Sequence, residues 1–180
     1  MTFPTESAPL TTARYLAAAE VPVVQVGATT ARFVALGSET EGRYGMFRWE
    51  MSAKPGGATP HVHRTFSEAF YVLDGAVSVH DGIEWRRAAP GDFLYVPPSG
   101  VHGFWNESGA PATMLILFAP APPREAYFRE LAERIASGTP FSDEDRAAFM
   151  ARHDQYEVEA GGQLDASRSP TQSRSQNTRE

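Results

Sequence analysis

The chain has 180 residues, 42% of them hydrophobic and 21% charged, which suits a single globular domain with a core of its own. It has no cysteine, so disulfides, thiolate catalysis and cysteine-held metals are excluded, and a transition metal would need histidine and carboxylate ligands. A net charge of −6 with scattered basic residues argues against nucleic acid or a membrane as partner, and without a long apolar run or a secretory pattern the expectation is a cytoplasmic protein.

Residues 1–20 are expected to form an N-terminal arm whose run TTARYLAAAE has a helix-compatible composition. VPVVQV (residues 21–26) and ARFVAL (31–36) predict two strands with a turn at GATT between them. A third strand is predicted over 44–51, with Phe47, Trp49 and Met51 on its buried face. KPGGATP reads as a loop, since Pro55 and Pro60 bar a helix.

The stretch PHVHRTFSEAFYVLDG (60–75) puts His61 and His63 two residues apart, on one face of a strand, with Glu68 five residues further on. Two imidazoles and a carboxylate converging in this way suggest a metal site. Asp74-Gly75 and Asp81-Gly82 are turn signals, the second predicting a hairpin between 76–80 and 83–87. GDFLYVPPSGVHGFWN gives a strand, a Pro-Pro-Ser-Gly turn and a short strand containing His102. ATMLILFAP (112–120) reads as an apolar strand buried on both faces.

After Pro123 the apolar period changes from two to about 3.6. A helix with Tyr127, Phe128, Leu131 and Ile135 on one side is predicted to stop at Gly138. A second is predicted to start at Ser142, with Asp145 completing a weak capping box, and to reach His153. His80, before a turn, and His153, at a helix end, are read as lying outside the metal site. Residues 161–180, rich in Ser, Arg, Gln and Gly, are expected to be a disordered tail.

Short strands with regular turn signals argue for a closed β-barrel or jelly roll. The chain resembles the cupins. Their first motif, G-x5-H-x-H-x4-E-x6-G, is carried by His61, His63, Glu68 and Gly75, and their second, G-x5-P-x-G-x2-H-x3-N, by Gly91, Pro97, His102 and Asn106. Pro55 stands where the leading glycine is expected, with Gly56 next to it, and Ser99 replaces the glycine in the middle of the second motif. The resemblance spans residues 42–119 and implies an all-β fold, a cupin-type double-stranded β-helix (jelly-roll) barrel with C-terminal helices. The expected divisions are an arm at 1–20, the barrel at 21–122, a helical extension at 123–160 and the tail at 161–180. The metal ligands implied are His61, His63, Glu68 and His102, holding one divalent transition metal: Fe, Mn, Ni, Co or Zn.

Phe70 and Val72, in phase with Glu68, Phe104, in phase with His102, and Phe47 and Trp49 are expected to line a substrate pocket. The ligand set is similar to that of the quercetin dioxygenase-like (cupin 2) group. That likeness implies a metal-dependent dioxygenase acting on an aromatic or enolisable small molecule, with dioxygen as co-substrate and Glu68 as both ligand and base. Two other functions fit the same residues: an oxygen-independent metal-dependent isomerase, cyclase or lyase, and a non-catalytic small-ligand-binding cupin. The terminal helices are expected to cover one end of the barrel or build a dimer contact, and a homodimer is the expected assembly. If the helices fold over the barrel mouth, Tyr156 or His153 is the residue expected to reach substrate.

Overall fold

The computed structural model describes residues 12–158. Part of the expected N-terminal arm and the whole expected tail at 161–180 lie outside the described residues. Two antiparallel sheets face each other. The first orders its strands β1 (Val23–Val26), β2 (Thr29–Ala35), β3 (Gly45–Met51), β10 (Ala112–Ala119), β5 (Ser67–Asp74) and β8 (Phe93–Val96). The second runs β11 (Tyr156–Glu157), β4 (Gly56–Val62), β9 (His102–Asn106), β6 (Val77–His80) and β7 (Trp85–Ala88). Between them, Phe47 and Trp49 of β3, Phe70 and Val72 of β5 and Met114 and Ile116 of β10 meet Val77, Val79 and Phe104 of the second sheet. Two helices follow, α1 (Arg124–Ala136) and α2 (Asp143–Arg152), and no helix among the described residues is long and apolar enough to cross a membrane.

The alternation read in β3 holds, with Phe47, Trp49 and Met51 buried and Arg48 exposed between them. Four expectations need correction. The run at 12–20 is not helical, and Tyr15 is 88% exposed. A segment this short is marginal as a helix without an apolar face to bury, and this one buries none. The strand at 112–119 is fully buried on one face only; Thr113, Leu115 and Leu117 are half-covered on the other. The hairpin turn spans residues 81–84 rather than two residues, because Asp81 Oδ1 accepts the backbone N–H groups of Ile83 and Glu84 at 3.0 and 2.9 Å. Ile135 of α1 is 46% exposed, so the helix's buried stripe is carried by Tyr127 and Phe128.

A further correction matters most for the site. GGATP is not a loop but most of β4, and it succeeds as a strand through one glycine and one bulge. A Cβ on Gly57 would lie 2.0 Å from the carbonyl oxygen of Phe104, so only glycine lets β4 and β9 approach. The register then slips by one residue between Ala58 and His61, which accommodates Pro60 within the strand and sets His61 directly opposite His102.

The end of the first sheet is closed by α1. Phe128 packs against Phe47 and Trp49, with ring centres 5.2 and 5.0 Å apart, and against Phe33 at 6.3 Å. Tyr127 stacks on Phe149 of α2, and Ser142 caps α2 by accepting the N–H of Asp145, as the sequence pattern predicts. The extension therefore shares the barrel's core.

The glycines of β4 provide a paired test. Gly57→Ala is expected to lower the free energy of unfolding in urea by roughly 3 kcal/mol or more, the scale of a backbone clash in a core. Gly56→Ala, with nothing within 4 Å of its Cβ, should change it by less than about 1 kcal/mol. Equal effects at both positions would contradict the close approach of β4 and β9.

Candidate metal centre

His61 lies on β4, His63 one residue past its end, Glu68 near the start of β5 and His102 at the start of β9. All four are between 0% and 4% exposed. One ligand atom from each falls within 4.8 Å of the other three. Ring centres are 4.3 Å apart for His61 and His102, and 4.9 Å for His61 and His63.

The backbone decides which nitrogen of each ring faces inward. The Nδ1 atoms lie 2.7 Å from the carbonyl of Thr59 for His61, 2.6 Å from that of Asp154 for His63, and 3.0 Å from that of Gly100 for His102. A carbonyl can only accept, so each Nδ1 carries the proton. In a neutral ring Nε2 is then a bare lone pair. His63 Nε2 is 3.0 Å from Glu68 Oε2. His102 Nε2 is 2.8 Å from the same oxygen. Three imidazole nitrogens and a carboxylate turned on one point fit a divalent transition metal, whose bonds to such ligands are about 2.0–2.2 Å. The cluster can therefore hold a metal.

Electrostatics favours the ligating forms. Burial, reinforced by His102 and His63, pushes His61 well below the usual imidazole range, and burial also lowers His63. Burial by itself would raise Glu68, but His102, then His63, beside the carboxylate hold it well below the usual carboxylate range. Neutral imidazoles beside an ionised carboxylate are the donor set a cation needs.

The segment after α2 completes the site. Asp154 sits in the left-handed region, with φ of 52°, and its main-chain carbonyl orients His63. Its carboxylate accepts from the N–H groups of Arg64 and Thr65 at 3.0 and 2.8 Å and from the Thr65 hydroxyl at 2.7 Å. Beyond it, Tyr156 and Glu157 pair with Val62 and His61 as β11, and the Arg64 guanidinium lies 3.8 Å from the centre of the Tyr156 ring. Glu157 also bonds Thr59 and Arg146. This strap runs along the strand that carries His61 and leads into His63.

Sequence reasoning pointed to His153 and Tyr156 in this segment, and the structure turns both to other work. His153 Nε2 is 3.4 Å from Glu130 of α1, and its ring packs on Tyr127 and Phe149. The segment reaches His63 through Asp154, which acts by a main-chain carbonyl that carries no sequence signal, and its Gln155 side chain accepts from Arg124. His80, also set aside, accepts the Gly82 N–H on Nδ1 and packs edge-on against Trp85. Of the expected pocket residues, Phe70 lies 5.9 Å from His102 and Phe104 5.7 Å from Phe70, measured between ring centres. Trp49 and Phe47 lie further toward α1, and Val72 is buried beside Phe70 on β5. Phe66, which was not singled out, stacks on His63 at 4.4 Å. Ser99 has φ of 65°, so the position where the resemblance expects glycine does adopt the left-handed conformation, and its N–H donates to the His63 carbonyl at 2.6 Å.

Comparison with known proteins places this geometry. Residues 49–118 match the family model of the cupin domain. KdgF from Halomonas sp. has a TM-score of 0.55 at 23% identity, over 63% of this chain and 99% of that one. An RmlC-like cupin from Shewanella frigidimarina has a TM-score of 0.54 at 17% identity, over 63% and 96%. The polyketide cyclase RemF from Streptomyces resistomycificus has a TM-score of 0.53 at 22% identity, over 62% and 82%. At these identities the likeness is one of fold. No curated protein matches the chain.

Chelator-stripped protein is expected to bind one equivalent of Co(II) or Zn(II) per chain, and His102→Ala to abolish stoichiometric binding. Asp154→Ala keeps the carbonyl that faces His63 but removes the carboxylate that ties Arg64 and Thr65 to the strap, and should weaken the affinity about ten-fold. Competition against a chelating dye measures both, and an unchanged affinity in Asp154→Ala would show that the strap does not set His63. Ser99→Gly should raise stability by about 1 kcal/mol, by relieving a side chain held at positive φ.

Proposed function

Starting from a chain that belongs to the cupin superfamily, we propose that it is a metal-dependent enzyme acting on an aromatic or enolisable organic substrate, in the manner of a quercetinase-like dioxygenase. The observation that carries this reading is the state of Glu68. Its Oε2 lies 3.0 Å from His63 Nε2 and 2.8 Å from His102 Nε2. One carboxylate can thus serve as ligand through one oxygen and as base through the other.

When bound in this cluster, a divalent ion supplies Lewis acidity toward a substrate oxygen. The rest falls to the chain. Held ionised by its two histidine neighbours, Glu68 is ready to take the proton of an enol or phenol hydroxyl within hydrogen-bond reach. Phe70 and Phe104 give a flat substrate apolar faces beside His102, and near-complete burial of the four polar residues keeps bulk water from competing for the proton. The same residues would equally serve an oxygen-independent isomerase, cyclase or lyase, so oxygen consumption separates the two readings.

With quercetin as the probe and Fe(II), Mn(II), Co(II) or Ni(II) loaded anaerobically, substrate loss is expected to consume one equivalent of dioxygen. Turnover without oxygen uptake would replace the dioxygenase reading with the oxygen-independent one. Glu68→Gln should cut turnover by about a hundred- to ten-thousand-fold, the span of general acid–base contributions. Full turnover in a metal-loaded Glu68→Gln protein would remove Glu68 as the base.

A further inference from the structure

Arg124 opens α1 and is only 5% exposed. Its guanidinium lies 3.9 Å from the centre of the Tyr127 ring, 5.1 Å from Phe118 and 5.4 Å from Phe128. Nη1 donates to the His153 carbonyl at 3.2 Å and Nη2 to Gln155 Oε1 at 3.1 Å, both neutral acceptors. Nε has no acceptor. None of the ion pairs among the described residues includes Arg124.

Taking a guanidinium out of water is expensive unless a negative charge meets it, and two neutral oxygens do not offset that cost. Burial accordingly pulls its pKa down against the opposing influence of Tyr127, Glu68 and Asp154. The position is next to the metal cluster: Phe118, beneath the guanidinium, pairs in register with Glu68, and its ring centre is 6.4 Å from that of His63. A second unmatched donor stands on the same aromatic wall. Trp49 Nε1 is buried without an acceptor, and its ring centre is 5.0 Å from that of Phe128.

We propose that Arg124, assisted by Trp49, is the anion-binding part of the pocket and takes a carboxylate or enolate oxygen of an organic ligand. This rests on the metal-enzyme reading above and narrows its substrate to an organic anion. The charge balance agrees with it: three neutral imidazoles, one carboxylate, a divalent ion and Arg124 leave the cluster positive, and an anion held by the guanidinium fork reduces that excess. The other role for Arg124 is to anchor the strap through His153 and Gln155, and it predicts different results.

The test is calorimetric titration of the full-length, zinc-loaded protein with benzoate and with its neutral isostere benzamide. Benzoate is expected to bind about ten-fold or more tightly, the scale of one hydrogen bond to a charged group. Arg124→Lys and Arg124→Gln should lose that preference while still holding one zinc per chain, and Trp49→Phe should lose a smaller part of it. In the wild type, benzoate but not benzamide should shift the Arg124 Nε–H resonance, identified by its absence from Arg124→Lys, so the proposal stays testable if Arg124→Gln does not fold. Equal binding of the two probes by zinc-loaded protein, or a preference that survives in the folded variants, would overturn it; a fall in melting temperature with the preference intact would leave Arg124 as a strap anchor only. Protein that binds no zinc but still prefers benzoate would sink the metal reading and leave the arginine assignment standing.

Discussion

Everything in this molecule depends on where three imidazole protons point. Each Nδ1 proton is committed to a main-chain carbonyl, and those carbonyls come from Thr59 in β4, Gly100 in the turn before β9 and Asp154 in the strap after α2. Two of these bonds are local, from His61 and His102 to the carbonyl two residues before each, but the third spans 91 residues to the strap, so the three lone pairs face one point together only once both sheets and the extension have closed. Metal affinity and folding are coupled through this geometry, since an ion that binds only the closed form stabilises it.

The helical extension is accordingly part of the site and not an appendage to a finished barrel. Phe128 fills the end of the core against Phe47 and Trp49, Asp154 ties down the residues that follow His63, and Arg124 carries a guanidinium without an ion-pair partner into the same aromatic wall. A chain selected for stability alone would have no use for a buried guanidinium lacking a carboxylate partner beside a cluster of buried histidines. Such conflicts between local energetics and fold are the marks of sites kept for binding or chemistry.

Much of this was legible in the sequence, for reasons that differ by residue. His61, His63, Glu68 and His102 could be read because cupin-like spacing fixes ligand residue types, and β3 because its alternation is strong. β4 was obscured by Gly56, Gly57 and Pro60, residues that usually break strands; here Gly57 permits a close approach and a bulge absorbs the proline. The Asp81 turn was misjudged in length because its side chain supplies hydrogen bonds that a two-residue turn would take from the backbone. Asp154 and Arg124 were missed because one acts through a carbonyl, which every residue has, and the other reads as an ordinary charged residue at a helix start. Contacts made 91 residues apart, as between His63 and Asp154, leave no local pattern to find.

The central claim is that three Nε2 atoms and Glu68 converge to hold one metal ion. X-ray absorption at the metal edge of Co(II)-loaded, full-length protein tests it most directly. The account predicts a shell of nitrogen and oxygen only, with multiple scattering from three imidazoles, reduced to two in His63→Ala. A shell with fewer than two imidazoles, or an unchanged spectrum in His63→Ala, would contradict it.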